Sequence, residues 1–406
     1  MKNSKNIIVL CDGTSNHASV YSETNVVRIA ERLDKTIDAN GRRQIVFYDP
    51  GLGTENAPGA FTIVGRTISK ILGLAFGYGL SKNLADAYTF LMQNYEPGDR
   101  IYIFGFSRGA YTARALTGLL GRIGLMDQGC YSLIPYAIRY YHKGNDHQLN
   151  FFKKRFSRTY TLKWSEVIPD IEKISLNKIK DKPSRGVIPV HFLGVWDTVK
   201  SVGILRFQVT LPDTDWLPNM INGRHAVAKD EKRSQYKPEL WFADTNEKHD
   251  EEKAKRKRNL QTCLHQDVKT EWFRGVHADV GGGYGLSGKL EKKVIDLRKK
   301  IDDINWDKLP NAPESLKEKL KEQKRMLEER IDALKSLEEN EIALAFKPLK
   351  WMTEAAAAHG LLFDQKEIKG DDEKIDNPDA KIHNPLLPFW WMLGWKQRNY
   401  EEGAGR

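Results

Sequence analysis

The sequence predicts an α/β fold: a mostly parallel sheet with helices on both faces, carrying an inserted helical arm. Three observations lead there. Short apolar runs alternate with stretches of helical periodicity. Several of these runs end directly in a turn rich in Gly or Asp. One region, 289–340, breaks the alternation with dense Lys and Glu around apolar positions at helical spacing.

Taken in order, Ile7-Ile8-Val9-Leu10 is a buried-strand run followed at once by Asp12-Gly13-Thr14. Ile45 to Tyr48 is a second strand, ending in the loop Asp49-Pro50-Gly51-Leu52-Gly53. Leu80 to Tyr95 is a helix, with Leu84, Ala87, Tyr88 and Leu91 on one stripe and Pro97-Gly98-Asp99 as its stop. The glycine-bearing apolar run before it, Ile71 to Leu80, is read as a lid or a buried loop. Ile101 to Phe104 is a strand, then Gly105-Phe106-Ser107-Arg108-Gly109, then a helix from Ala110 to Gly121. Val187 to Trp196 is a strand ending at Asp197, and Thr270 to Val276 is a last strand ending at His277. Asp12, Ser107, Asp197 and His277 thus all fall at carboxyl ends of strands, where open α/β sheets bind their ligands.

The arm reads as two helices, with Leu316, Leu320, Leu327, Ile331 and Leu334 as the packing stripe and Asn305 to Pro310 as the interruption. Its heptad run is short, which favours packing on the body over a coiled coil, and it is the one place where a protein partner is foreseen. The expected organisation is a core over 1–288, the arm over 289–340, and a C-terminal helix with an aromatic segment over 341–406 completing the core.

Composition narrows the function. The chain has 406 residues and a formal net charge of +10. The basic run Lys253 to Arg258 lies in a polar stretch and reads as a solvated loop; with no nucleic-acid motif beside it, no nucleic-acid partner is expected. The three cysteines, Cys11, Cys130 and Cys263, are far apart and odd in number, which reads as reduced thiols. Neither Ile7 to Leu10 nor Ile71 to Leu80 is long enough for a signal-peptide core or a membrane span, so a protein cytoplasmic as synthesised is expected. Any export would need a route that no Sec signal reveals. No residues have metal-ligand spacing, and Gly281-Gly282-Gly283-Tyr284-Gly285 lacks the Lys-Ser/Thr of a phosphate loop. Neither a metal nor a cofactor is expected.

Gly105-Phe106-Ser107-Arg108-Gly109 fits G-x-S-x-G, in which a serine stands on a strained strand-to-helix turn with its hydroxyl exposed. The pattern is common by chance; the strand before it and the helix after it give it weight. Such a serine needs a base, and the base an orienting acid, in the chain order Ser, Asp or Glu, His. Asp197 and then His277 satisfy that order from separate strand ends. Among the other histidines, His17, His142 and His147 lie too early, and His191 begins its strand. His225, His249 and His265 sit in polar or helix-like surroundings, and His359 ends a helix. His383, late in the chain, is the rival base, and Asp279 the alternative acid. The backbone N–H of Arg108 is expected to serve an oxyanion, with Gly13 as second donor. Asp12, Thr14, Gly282 and Tyr284 are the expected substrate-binding residues.

The sequence resembles a bacterial α/β-hydrolase family long known only as an uncharacterised domain, whose members include phospholipase effectors of type VI secretion. The matching stretches are Cys11 to Asn16, Gly77 to Leu91, Tyr95 to Leu125, Gly194 to Val199, His225 to Ala228 with Asp230-Glu231, and Gly275 to Tyr284. The resemblance implies a Ser107–Asp197–His277 triad and an ester substrate, phospholipid first. It departs in two respects: residues 289–340 separate the Gly-rich turn from a helix like Ile342 to His359, and no large membrane-binding module is recognisable. Leu386 to Trp395, followed by Lys396 and Arg398, suits either contact with an anionic membrane surface or packing on the core. Two alternatives stand beside a phospholipase: a soluble esterase or thioesterase, and a binding or scaffold protein that uses the arm.

Overall fold

The computed structural model describes residues 4–13, 23–36, 43–51, 67–158, 188–199, 214–215, 217, 219–233, 236–241, 266–284, 288–303, 313–375, 380 and 382–383, with the backbone alone for 67–79, 288–291, 335–341 and 370–374. Six strands form one sheet: β1 (Asn6–Cys11), β2 (Gln44–Asp49), β3 (Arg100–Phe106), β4 (Val190–Trp196), β5 (Met220–Ala228) and β6 (Asp267–Phe273). Their order is β2-β1-β3-β4-β5-β6, and every neighbouring pair is parallel. This is the mostly parallel α/β-hydrolase-like sheet that the alternating pattern predicts.

Both faces are covered, as a parallel sheet requires. Successive strand residues point to opposite faces. Ile7, Val9, Ile101, Ile103, Leu193 and Val195 pack with α2 (Thr67–Asn94), α3 (Arg108–Arg122), α4 (Ile134–Lys143) and α5 (Asp146–Phe156). Their neighbours Ile8, Leu10, Tyr102, Phe104, Phe192 and Trp196 pack with α1 (Asn25–Arg32) and with a late helix, Phe346–Ala358. The chain passes from β1 outward to β2, then returns to β3 on the other side of β1. That reversal between β1 and β3 opens a crevice beyond their carboxyl ends.

Four features depart from the sequence reading. β5 is absent from the elements read along the sequence; its Asn222, Arg224 and His225 give it a polar pattern, yet these residues are buried and satisfied. Asn222 donates to the His191 carbonyl, Arg224 pairs with Asp267, and the Thr198 N–H donates to His225 Nε2. β6 stops at Phe273 rather than at Val276, because Gly275, at φ 111°, turns the chain out of the sheet. Ile71 to Leu80 is helical, inside α2, rather than a loop. α1, α4 and α5 were not foreseen, although Thr24 before α1 is a visible N-cap, its Oγ1 accepting the Val27 N–H.

After β6 come α6 (His277–Gly281), α7 (Gly288–Asp302), α8 (Glu314–Ile342), α9 (Phe346–Ala358) and α10 (Gln365–Ile375). α7 and α8 meet through a small cluster of their own, Val294, Leu297 and Ile331, flanked by Ile301, Leu327 and Leu334. No helix among the described residues is long and apolar enough to cross a membrane. The basic run Lys253 to Arg258, Cys263, the break at Asn305 to Pro310 and the aromatic stretch Leu386 to Trp395 lie outside the described residues.

Candidate active site

The turn between β3 and α3 holds Ser107 at φ 57° and ψ −121°, a conformation rare for any residue with a side chain. The surroundings enforce it. A Cβ on Gly105 would fall 2.6 Å from the Gly109 carbonyl oxygen, and one on Gly109 would fall 2.2 Å from that of Cys11. The two glycines therefore let α3 sit directly against β3 and the end of β1. The Ser107 N–H donates to the Trp196 carbonyl at 3.1 Å, tying the turn to β4.

Asp197 follows β4 in a second strained turn, at φ 37°. It is fully buried. Its N–H donates to Ala226 at 2.7 Å, and its Oδ1 accepts the Ala228 N–H at 3.0 Å. Its Oδ2 is left to face His277, whose Nδ1 lies 2.6 Å away. His277 Nε2 lies 2.7 Å from Ser107 Oγ. An ionised carboxylate only accepts, so the proton sits on Nδ1 and Nε2 is free to accept from the serine hydroxyl. Hydroxyl, imidazole and carboxylate form a line along which a proton can leave Ser107.

His277 is the first residue of α6, and aromatic rings support its imidazole. Phe106 lies with its centroid 4.8 Å from the imidazole, and Tyr236 meets it edge-on at 4.7 Å. Gly281 makes room for Phe106, since a Cβ there would fall 1.9 Å from that ring.

The other expected site residues have different surroundings. Asp12 is buried, with Oδ2 accepting from Thr24 Oγ1 at 2.7 Å and Tyr48 Oη at 2.9 Å. Its Oδ1 accepts the Gly13 N–H at 2.6 Å. Asp12 therefore braces its own loop, and the expected second oxyanion donor is engaged inside that loop. Thr14 lies outside the described residues. Gly282, at φ 79°, packs on the Thr24–Asn25 backbone, where a Cβ would be 2.8 Å from Asn25 N. Tyr284 stacks on His383 at 3.7 Å, and burial, with Asp279 nearby, pushes its phenol up to about 12. His383 is paired with Asp279 rather than with Ser107, its Nδ1 2.5 Å from Oδ1. Burial pushes the Arg108 guanidinium, adjacent to Ser107, down to about 10. Among the described residues no cluster is suited to a metal ion.

The sequence reading placed Glu231 in a stretch that carries the family resemblance but gave neither it nor Arg233 a role. Glu231 is buried and paired in bidentate fashion with Arg233, at 2.9 and 2.8 Å. Burial alone would raise its carboxyl, but the hydrogen bonds and charge of Arg233, with a smaller part from His277, hold it below its usual range. The visible signal was the Glu-x-Arg spacing just past β5, which no motif rule covers.

Sheet, elbow and relay together define an α/β-hydrolase-like protein. Residues 5–305 match the family described as type VI secretion system phospholipase effector Tle1-like, catalytic domain. The chain belongs to that family. It is 33% identical over 248 residues to the uncharacterized protein YEL023C of Saccharomyces cerevisiae, covering 57% of this chain and 32% of the relative. The chain thus spans about a third of the length of the curated relative it matches. Among solved structures it is similar to an uncharacterized protein from Pseudomonas aeruginosa, with a TM-score of 0.35 at 18% identity over 97% of this chain and 66% of that one. A second is the Tle1 effector bound to the VgrG spike of the type VI secretion system, with a TM-score of 0.38 at 13% identity over 96% and 83%.

Proposed function

We propose that the chain is a serine-dependent carboxylic-ester hydrolase acting on phospholipids through an acyl-enzyme. The observation that carries this is the relay itself: His277 bridges Ser107 and Asp197 at 2.7 and 2.6 Å, with the serine on a strained turn. Family membership supports the lipid as substrate.

In this mechanism Ser107 Oγ attacks the ester carbonyl while His277 Nε2 takes its proton. Asp197 holds the imidazole in the required tautomer and stabilises the cation that forms. The oxyanion lies against the start of α3, where the Arg108 N–H and the helix dipole favour negative charge. Collapse expels the alcohol or lysolipid with the proton from His277. Water then enters, gives its proton to His277 and releases the fatty acid, restoring Ser107.

The test is hydrolysis of mixed phospholipid vesicles by the protein and by Ser107→Ala, with fatty acids and lysolipids followed by mass spectrometry. Release by the wild type alone supports the reading and identifies the bond cut. Turnover of a short soluble ester with no lipid release would retain the serine mechanism and remove the membrane lipid. Equal lipid release by both proteins would remove the mechanism.

A further inference from the structure

Three successive backbone N–H groups lead into α6, and a different carboxylate holds each. Gly275 donates to Asp230 Oδ2 at 2.6 Å, Val276 to Asp279 Oδ2 at 2.8 Å, and His277 to Glu231 Oε2 at 3.2 Å. The first two bonds shape the turn. The third acts on the histidine itself.

Glu231 reaches His277 by a second route. Its partner Arg233 lies over the Tyr236 ring, with the guanidinium carbon 3.7 Å from the centroid. That ring meets the imidazole edge-on at 4.7 Å. One buried ion pair therefore restrains the base at its backbone and, through Tyr236, at its ring. An imidazole tethered only through Nδ1 can pivot about that bond and swing Nε2 away from Ser107. Backbone and lateral contacts remove that freedom. The same segment also fixes the acid, because the Ala228 N–H binds Asp197 Oδ1.

We propose that Glu231 is the positioning residue of the base: its carboxylate, clamped by Arg233, fixes the backbone of His277 and, through Tyr236, the aim of Nε2 at Ser107. This rests on the serine-hydrolase reading and adds to it a second carboxylate outside the Ser107–Asp197–His277 relay.

The experiment uses the full chain, a soluble nitrophenyl ester, and a fluorophosphonate label taken to completion to count competent Ser107 sites. Displacement of a base by about 1 Å costs on the order of 100-fold. Glu231→Ala is expected to lower kcat per labelled site by about 10- to 100-fold with KM nearly unchanged. It should also broaden or remove the low-field proton resonance of the His277–Asp197 hydrogen bond. Glu231→Gln keeps an acceptor for the His277 N–H and should recover most of the rate and the resonance. Tyr236→Ala leaves the ion pair intact and should fall between wild type and Glu231→Ala. If Glu231→Ala does not fold, Tyr236→Ala decides. Wild-type kcat per labelled site and an unchanged resonance in Glu231→Ala, or in Tyr236→Ala where Glu231→Ala does not fold, would overturn the inference while leaving the serine mechanism in place. Absence of label on wild-type Ser107 would remove the mechanism and this inference with it.

Discussion

Gly109→Ala tests how closely the nucleophile depends on backbone packing. The added Cβ would lie 2.2 Å from the Cys11 carbonyl oxygen and 2.3 Å from that of Asp12. Van der Waals contact requires about 1 Å more. Neither oxygen yields easily, because β1, which ends at Cys11, is paired with β2 on one side and β3 on the other, and the Asp12 N–H is bonded to the Asp49 carbonyl. The start of α3 must move instead, and Ser107 is two residues away. A shift of about 1 Å stretches the 2.7 Å contact between Ser107 Oγ and His277 Nε2 beyond hydrogen-bond reach. The expected result is a stability loss of about 1–3 kcal/mol and a fall in kcat/KM of roughly 100-fold. Gly118→Ala, on the same helix, is the control: its Cβ would meet the hydroxyl tip of Tyr141 at 2.3 Å, so stability should fall without the loss of activity. Denaturant titration and ester turnover read both effects. Unchanged activity in a folded Gly109→Ala would refute the argument that this approach sets the nucleophile.

Other expectations follow from the same geometry. Asp197→Asn should retain the fold, since its amide oxygen can still accept the Ala228 N–H, but should lose about 10⁴-fold in kcat because it no longer enforces the tautomer; a loss below ten-fold in steady-state turnover would contradict that role. Burial, opposed by the Gly51 hydrogen bond and reinforced by Asp86, pushes the Asp49 carboxyl up from about 3.8 to about 6. The folded state therefore holds this proton more tightly than the unfolded chain. Its stabilisation is present below about pH 4 and lost as pH rises through about 6. Asp49→Asn should accordingly gain up to about 3 kcal/mol over wild type at pH 7.5 and nothing at pH 4, and urea unfolding at the two pH values reads the difference; equal stability at pH 7.5 would count against it. Gly281→Ala should press on the Phe106 ring that supports His277 and lower turnover more than stability, with unaltered turnover as the contrary result.

Much of the arrangement was legible in the sequence, for identifiable reasons. Buried parallel strands such as β1, β3 and β4 are continuous apolar runs, and the glycines around Ser107 mark a close approach of backbone that nothing larger allows. The order of Ser107, Asp197 and His277 along the chain anticipated residues that the structure brings within hydrogen-bond distance. β5 was missed because it is buried yet polar; its Asn222 and Arg224 find partners on neighbouring strands and its His225 one just past the end of β4, which no local pattern reveals. Asp12 was read as facing substrate because a strand-end aspartate often does. Its commitment to Thr24 and Tyr48 depends on contacts with residues 12 and 36 positions away. Glu231 acts on a residue 46 positions further on and on a backbone atom, so no side-chain motif announces it.

The most direct measurement is the mass of the protein quenched during turnover of an activated ester. The account predicts an acyl adduct on the peptide carrying Ser107, formed faster than it is cleared, and absent from Ser107→Ala. Turnover with no adduct on that peptide, or with the acyl group on another residue, would contradict it.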